Sequence, residues 1–156
     1  MVTLTFDDGD ADQMAAARVL RRYRLPATFY IITGAVGTPG YVTRSDLSQL
    51  AADGNEIGGH TVSHLRLTAL STAEARRQVC ESRSILARWG YQAISFAYPG
   101  GAESPETEAI VRGCGYTSAR GVVGLRAPGC PDCAVTESVP PRDPMALRTA
   151  GEVDSS

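Results

Sequence analysis

Thr5-Phe6-Asp7-Asp8-Gly9 is the stretch on which the fold turns, because an apolar run from Val2 to Phe6 ends there in two carboxylates and a glycine. A short apolar run closed by a glycine reads as a buried strand. Strand-rich α/β folds gather their functional groups at the carboxyl ends of such strands. Working outward, Glu56-Ile57-Gly58-Gly59 is a second strand-like piece, and it runs straight into His60-Thr61-Val62-Ser63-His64. His60 and His64 are the only histidines in 156 residues, so chance is a poor account of their closeness. One carboxylate and two imidazoles form a ligand set with one position left open, as catalytic zinc needs for its water. The other aspartate is then free to be a base. Alone, the aspartates also suit a phospho-acceptor, a Mg²⁺ site or a solvated turn ahead of a helix. Asp8, Asp10 and Asp12 imitate the start of an EF-hand loop, but Gln13 replaces its glycine and Val19 its closing glutamate. The histidine pair is not the zinc-protease helix motif either, since Thr61 stands where that motif has its general base.

The rest of the chain alternates. Ala11 to Tyr23 places Met14, Ala17, Val19 and Leu20 near one helical face, and Pro26 ends it. A strand is expected over Ala27 to Ile32. Thr43 or Ser45 is placed to cap a helix to Ala52, with Gly54 as its stop. Ser71 or Thr72 opens a long helix through Val79, Leu86 and Trp89 to Gly90, with Glu74 at capping-box spacing from Ser71. Ala93 to Ala97 reads as a fourth strand, Pro105 to Arg112 as a helix, and Tyr116 to Ala119 as a fifth strand. This order predicts a parallel α/β sheet bent towards a barrel.

Three motifs, Thr5 to Gly9, His60 to His64 and Phe96-Ala97-Tyr98-Pro99-Gly100-Gly101, in that order and spacing, closely resemble those of the polysaccharide deacetylases of carbohydrate esterase family 4, the NodB-homology domain. The resemblance runs from Val2 to about Arg148. It implies a NodB-like distorted (β/α) barrel, usually of seven strands, of which this sequence supplies about five. One domain over 1–150 is expected, followed by a polar tail, 151–156. It also implies metal-dependent hydrolytic removal of acetyl groups from an N- or O-acetylated polysaccharide, whether chitin-like, peptidoglycan or acetylxylan. Position by position, Asp7 resembles the catalytic base, and Asp8, His60 and His64 the ligands of a divalent metal, zinc before cobalt or another transition ion. A metal there would lower the pKa of its water towards roughly 7 and polarise the acetyl carbonyl while Asp7 takes the proton. The turn after Tyr98 and Pro99 implies an oxyanion donor in the N–H of Gly100. Thr61 and Ser63 are either substrate-facing hydroxyls or caps of the turn.

The departures carry equal weight. The family's third motif has an arginine where this chain has Ala97 and an aromatic where it has Gly100, so the group that orients the base is missing from its usual place. Arg120, in Ser118-Ala119-Arg120-Gly121, is one substitute for that charge, and a solvated loop arginine is the plainer reading. Family members also end with a motif whose histidine protonates the leaving group, and no histidine follows His64. The segment from Pro128 to Ser156 reads as loop. A C-terminally truncated chain is therefore expected, with an open sheet edge. A catalytically weak or inactive domain that keeps metal or sugar binding is the rival reading. A phosphoryl-transfer protein with Asp7 as nucleophile is a third.

Composition narrows the partners. All 15 basic residues are arginine, spread along a chain of net charge −2, which gives no basic stripe for nucleic acid. No apolar run approaches the length that spans a bilayer, and no export signal precedes the first strand. The four cysteines, Cys80, Cys114, Cys130 and Cys133, are an even set that favours disulfides and hence a secreted or cell-envelope protein. Cys80 and Cys114 fall near helix positions able to face each other. Cys130-Pro131-Asp132-Cys133 reads as a loop staple, with half a zinc ribbon or a redox motif as the alternatives.

Overall fold

A computed structural model describes residues 3–126 and 130–150. Six strands, β1 (Thr5–Phe6), β2 (Thr28–Ile31), β3 (Glu56–Gly59), β4 (Ser95–Ala97), β5 (Ser118–Gly124) and β6 (Leu147–Thr149), form one sheet in sequence order. Every neighbouring pair is parallel. Helices α1 (Gln13–Tyr23), α2 (Arg44–Ala52), α3 (Thr72–Arg88) and α4 (Pro105–Gly113) make four of the five crossovers that parallel pairing requires, and no helix is found between β5 and β6 among the described residues. The result is an incomplete NodB-like half-barrel.

Local chemistry sets the helix boundaries. Thr43 caps α2 in a reciprocal box with Asp46, and the Ser71 hydroxyl accepts from the Glu74 N–H at the start of α3. Ser104 caps α4, with Pro105 in the first turn. A strand's period of two then sorts the side chains. Phe29, Ile31, Ile57, Phe96, Tyr98 and Ala119 join one apolar core with Leu47 and Leu50 of α2, Val79 and Leu86 of α3, and Ile110 and Val111 of α4. The alternate set, Thr28, Tyr30, Glu56, Ser95 and Arg120, lines the opposite face. There Glu56 accepts from Thr28 Oγ1 at 3.2 Å and from Ser95 Oγ at 2.7 Å.

Two expectations change. The C-terminal third is not all loop, because β6 pairs with β5 and the segment before it docks. Met145 is fully buried, its carbonyl accepts from the Tyr98 hydroxyl at 3.0 Å, and the Ala119 N–H donates to Pro144 O at 2.7 Å. The fifth strand also runs on to Gly124. The start of the first strand at Val2 and the tail 151–156 lie outside the described residues. Disulfides join Cys80 to Cys114, tying α3 to the end of α4, and Cys130 to Cys133. Among the described residues no helix is long and apolar enough to cross a membrane.

Candidate metal and catalytic centre

β1 and β3 end at the same edge of the barrel, so their following residues converge. Asp8 Oδ1 lies 3.3 Å from His60 Nε2 and 3.2 Å from His64 Nε2. The three side chains offer one ligand atom each, all within 4.8 Å of one another. His60 is fully buried, and its Nδ1 lies 2.7 Å from the Ala97 carbonyl at the end of β4. A carbonyl only accepts, so Nδ1 carries a proton and Nε2 is the ring atom turned to Asp8. Asp8 Oδ1 is sealed from solvent and has no well-formed hydrogen bond among the described residues. Lone pairs converging on a point are what a divalent cation satisfies, and the donor set of one carboxylate and two imidazoles suits a borderline ion such as Zn²⁺. The residues present therefore fit a metal. Without one, the His60 contact and the positive charge either ring can carry hold the Asp8 carboxyl below its usual range, while burial pushes it up.

The backbone is bent to reach this arrangement. Asp8, Thr61 and His64 all have positive φ, at 73°, 65° and 56°. For a β-branched threonine this is a genuine outlier, and each such residue costs roughly 1–3 kcal/mol. Three together, on the two segments that carry Asp8, His60 and His64, mark a place where the fold holds strain to aim side chains. Thr61 is the turn cap, its hydroxyl accepting from the His64 N–H at 2.9 Å, so that reading prevails over a substrate-facing hydroxyl. The loop is also clamped from behind. The buried Gln78 of α3 accepts the N–H groups of Val62 and Ser63 through Oε1, at 3.1 and 3.0 Å. Sequence reading passed over Gln78; its only signal was an amide on the apolar face of a long helix.

Asp7 stands beside this cluster and pairs with Arg120 of β5 through its Oδ1. Its own carbonyl accepts from the Gly9 N–H at 2.9 Å and from the Gln13 side-chain amide. Arg120 is buried, not a solvated loop residue, which overturns the plainer expectation for it. Ala97, where the family's arginine was missed, is the direct ladder partner of Arg120. The guanidinium thus arrives from one strand further along the sheet.

The third motif is divided. Pro99 and Gly100 form a tight turn after β4, with Gly100 at φ 61° and the Arg66 guanidinium over it. Tyr98 is fully buried with its hydroxyl on Met145, so its phenol is a core group and does not face a substrate. A groove of about 260 Å³ adjoins His64, lined among others by Ile32, Thr38, Tyr41 and Ser63. A cavity of about 310 Å³ at Leu25–Pro26 and Gly54–Asn55 sits at the opposite, amino ends of β2 and β3, away from this chemistry.

A parallel half-barrel with two aspartates, two histidines and a buried arginine at its strand ends has the frame of a carbohydrate esterase domain. The sequence model of the polysaccharide deacetylases matches residues 1–119, spanning the first three motifs, and the chain belongs to that family. An uncharacterized Streptomyces coelicolor protein is 33% identical over 119 residues, covering 76% of this chain and 46% of that one. The peptidoglycan-N-acetylglucosamine deacetylase of Bacillus cereus is 28% identical over 119 residues, covering 74% and 54%. The solved structure of the Streptococcus pyogenes deacetylase PplD in complex with acetate superposes with a TM-score of 0.77 at 26% identity, covering 80% of this chain and 57% of that one. The chain spans about half the length of the curated relatives it matches.

Proposed function

We propose that the protein removes acetyl groups hydrolytically from an N- or O-acetylated polysaccharide, with Asp8, His60 and His64 holding a divalent metal, zinc first, and Asp7 acting as the base. The observation that carries this reading is the meeting of those three ligand atoms within 4.8 Å, next to an aspartate held by a buried arginine. When bound, such an ion supplies Lewis-acid polarisation of the acetyl carbonyl and of the attacking water. The remaining steps belong to the chain. Arg120 occupies Asp7 Oδ1, which leaves Oδ2 to accept the water's proton. The Gly100 turn offers a backbone N–H to the developing oxyanion. Asp7, once it has taken the water's proton, is the group placed to pass it to the leaving nitrogen or oxygen.

A peptidoglycan-type glycan is the favoured substrate, supported by relatives named as peptidoglycan-N-acetylglucosamine and peptidoglycan-N-acetylmuramic acid deacetylases. Two disulfides support a secreted or cell-envelope location. The test is acetate release from N-acetylated chitin oligomers, peptidoglycan and acetylxylan, by zinc-loaded and chelator-treated protein. Zinc-dependent release that disappears in Asp7→Asn supports the reading. Binding of zinc with no release from any of the three would leave the rival, a metal-holding domain without turnover.

A further inference from the structure

Arg120 cannot be held by its hydrogen bonds alone. Nη2 donates to Asp7 Oδ1 and Nη1 to the Gly121 carbonyl at 3.1 Å, but Nε is buried and has no partner among the described residues. One edge of a planar fork is therefore left without a protein polar contact, in a place shielded from bulk solvent. What lies against the fork instead is an aromatic ring, with Arg120 Cζ 4.9 Å from the centroid of Tyr30 on β2. A desolvated guanidinium over a ring is attracted by the negative face of its quadrupole, and more strongly than at an exposed site.

The ring in turn depends on an absent side chain. Tyr30 pairs with Gly58 across the β2–β3 ladder, and a Cβ built on Gly58 would stand 2.5 Å from Tyr30 Cδ1 and 2.6 Å from Cε1. No real side chain tolerates that approach, and the obstacle is a ring that is itself only 5% exposed. Gly58 is thus the gap into which the ring lies down, and its position comes from close approach and not from a special backbone angle.

We propose that Tyr30 is a positioning residue for the base: its ring is the shelf for the Arg120 guanidinium, Gly58 gives the shelf its room, and Arg120 fixes which oxygen of Asp7 faces the substrate. The chain of contacts crosses the sheet from β3 through β2 and β5 to the end of β1. Burial pushes the Tyr30 hydroxyl up from its ordinary value, with Ser95 and the Arg120 charge acting against it, so the ring serves as a neutral π face. The kinetic part of this proposal rests on the deacetylase reading, and the structural part does not.

The experiment therefore has two arms. In ¹⁵N spectra of the whole chain, a guanidinium clamped between a carboxylate and a ring gives separated, slowly exchanging Nη signals, assigned by their loss in Arg120→Lys. Tyr30→Leu should collapse them, Gly58→Ala should broaden or shift them by pushing the ring, and Tyr30→Phe should keep them. A cooperative urea transition and dispersed backbone amide signals like those of wild type show that each variant is folded. In the second arm, Tyr30→Leu should lower kcat for acetate release about tenfold with KM within about twofold, and Tyr30→Phe should restore kcat to within about threefold. Arg120 signals unchanged in folded Tyr30→Leu and Gly58→Ala would overturn the proposal, as would a loss in Tyr30→Phe equal to that in Tyr30→Leu. If wild type releases no acetate, the deacetylase reading fails, and the spectra still decide the shelf.

Discussion

Asp7→Asn is the sharpest perturbation available, because it separates stability from chemistry at one atom. In the native chain the Asp7 and Arg120 side chains are 16% and 9% exposed and form an ion pair. The substitution keeps shape and removes the charge, which leaves a buried guanidinium facing a neutral amide. Breaking a buried pair from one side costs roughly 3–5 kcal/mol, and the partial exposure of Asp7 places this case near about 3 kcal/mol. A domain with 5–15 kcal/mol of stability, as is typical, survives that loss. In urea the midpoint should fall by about 1–2 M at an ordinary slope. Arg120→Met should cost less, since the freed carboxylate can reach water, and the double variant should be more stable than the sum of the singles predicts. Zinc affinity should be nearly unchanged in Asp7→Asn while acetate release disappears. An Asp7→Asn stability within about 0.5 kcal/mol of wild type, or strict additivity in the cycle, would show that the pair is not a buried coupled unit. Equal loss of zinc in Asp7→Asn and Asp8→Asn would refute the division of roles between the two aspartates.

Other outcomes follow from the same contacts. His64→Ala should remove most zinc affinity by leaving two protein ligands, and unchanged calorimetric binding would discard the site. Gln78→Ala strips the acceptor from the Val62 and Ser63 N–H groups and should weaken zinc binding about tenfold without touching a ligand; affinity within twofold would mean that the loop holds itself. Replacing Cys80 and Cys114 by alanine opens a cross-link across 34 residues and should cost about 4 kcal/mol in denaturant titration, with a loss below about 1 kcal/mol arguing against a stabilising tie. With only Asp7 to return the proton, this chain should turn over O-acetyl esters faster than N-acetyl amides by about 10²–10⁴-fold, since an alkoxide needs far less help to leave than an amide anion; equal rates would mean that a further acid besides Asp7 donates the proton.

The meeting of Asp8, His60 and His64 was legible because it is local. Asp7-Asp8 and His60 to His64 each sit just past an apolar strand, and parallel order alone brings the ends of β1 and β3 to one side. The caps at Thr43 and Ser71 were legible for the same reason, each being settled within one helical turn. Arg120 and β6 were not, because both depend on pairing across the sheet. Leu147–Thr149 is too short to show a period, and it becomes a strand only when Tyr98 and Ala119 fix the Pro144–Met145 segment beside it. Gln78 and Tyr30 looked like ordinary helix and strand residues until the partner backbone and the partner cation were in view.

That contrast gives the missing third-motif arginine a physical explanation. A position on β4 and its ladder partner on β5 present side chains to the same face about 5 Å apart, so a guanidinium lost at Ala97 can be supplied from Arg120 with little change in where its nitrogens arrive. The backbone it comes from is different, and so is its support: from β5 the guanidinium meets Tyr30, whose ring has room only beside a glycine. A motif scan along one strand records the exchange as a loss, whereas the sheet registers it as a sideways step. Asp7 keeps its partner, and the cost moves to Tyr30 and Gly58, which acquire a role that a sequence containing arginine at position 97 would not require of them.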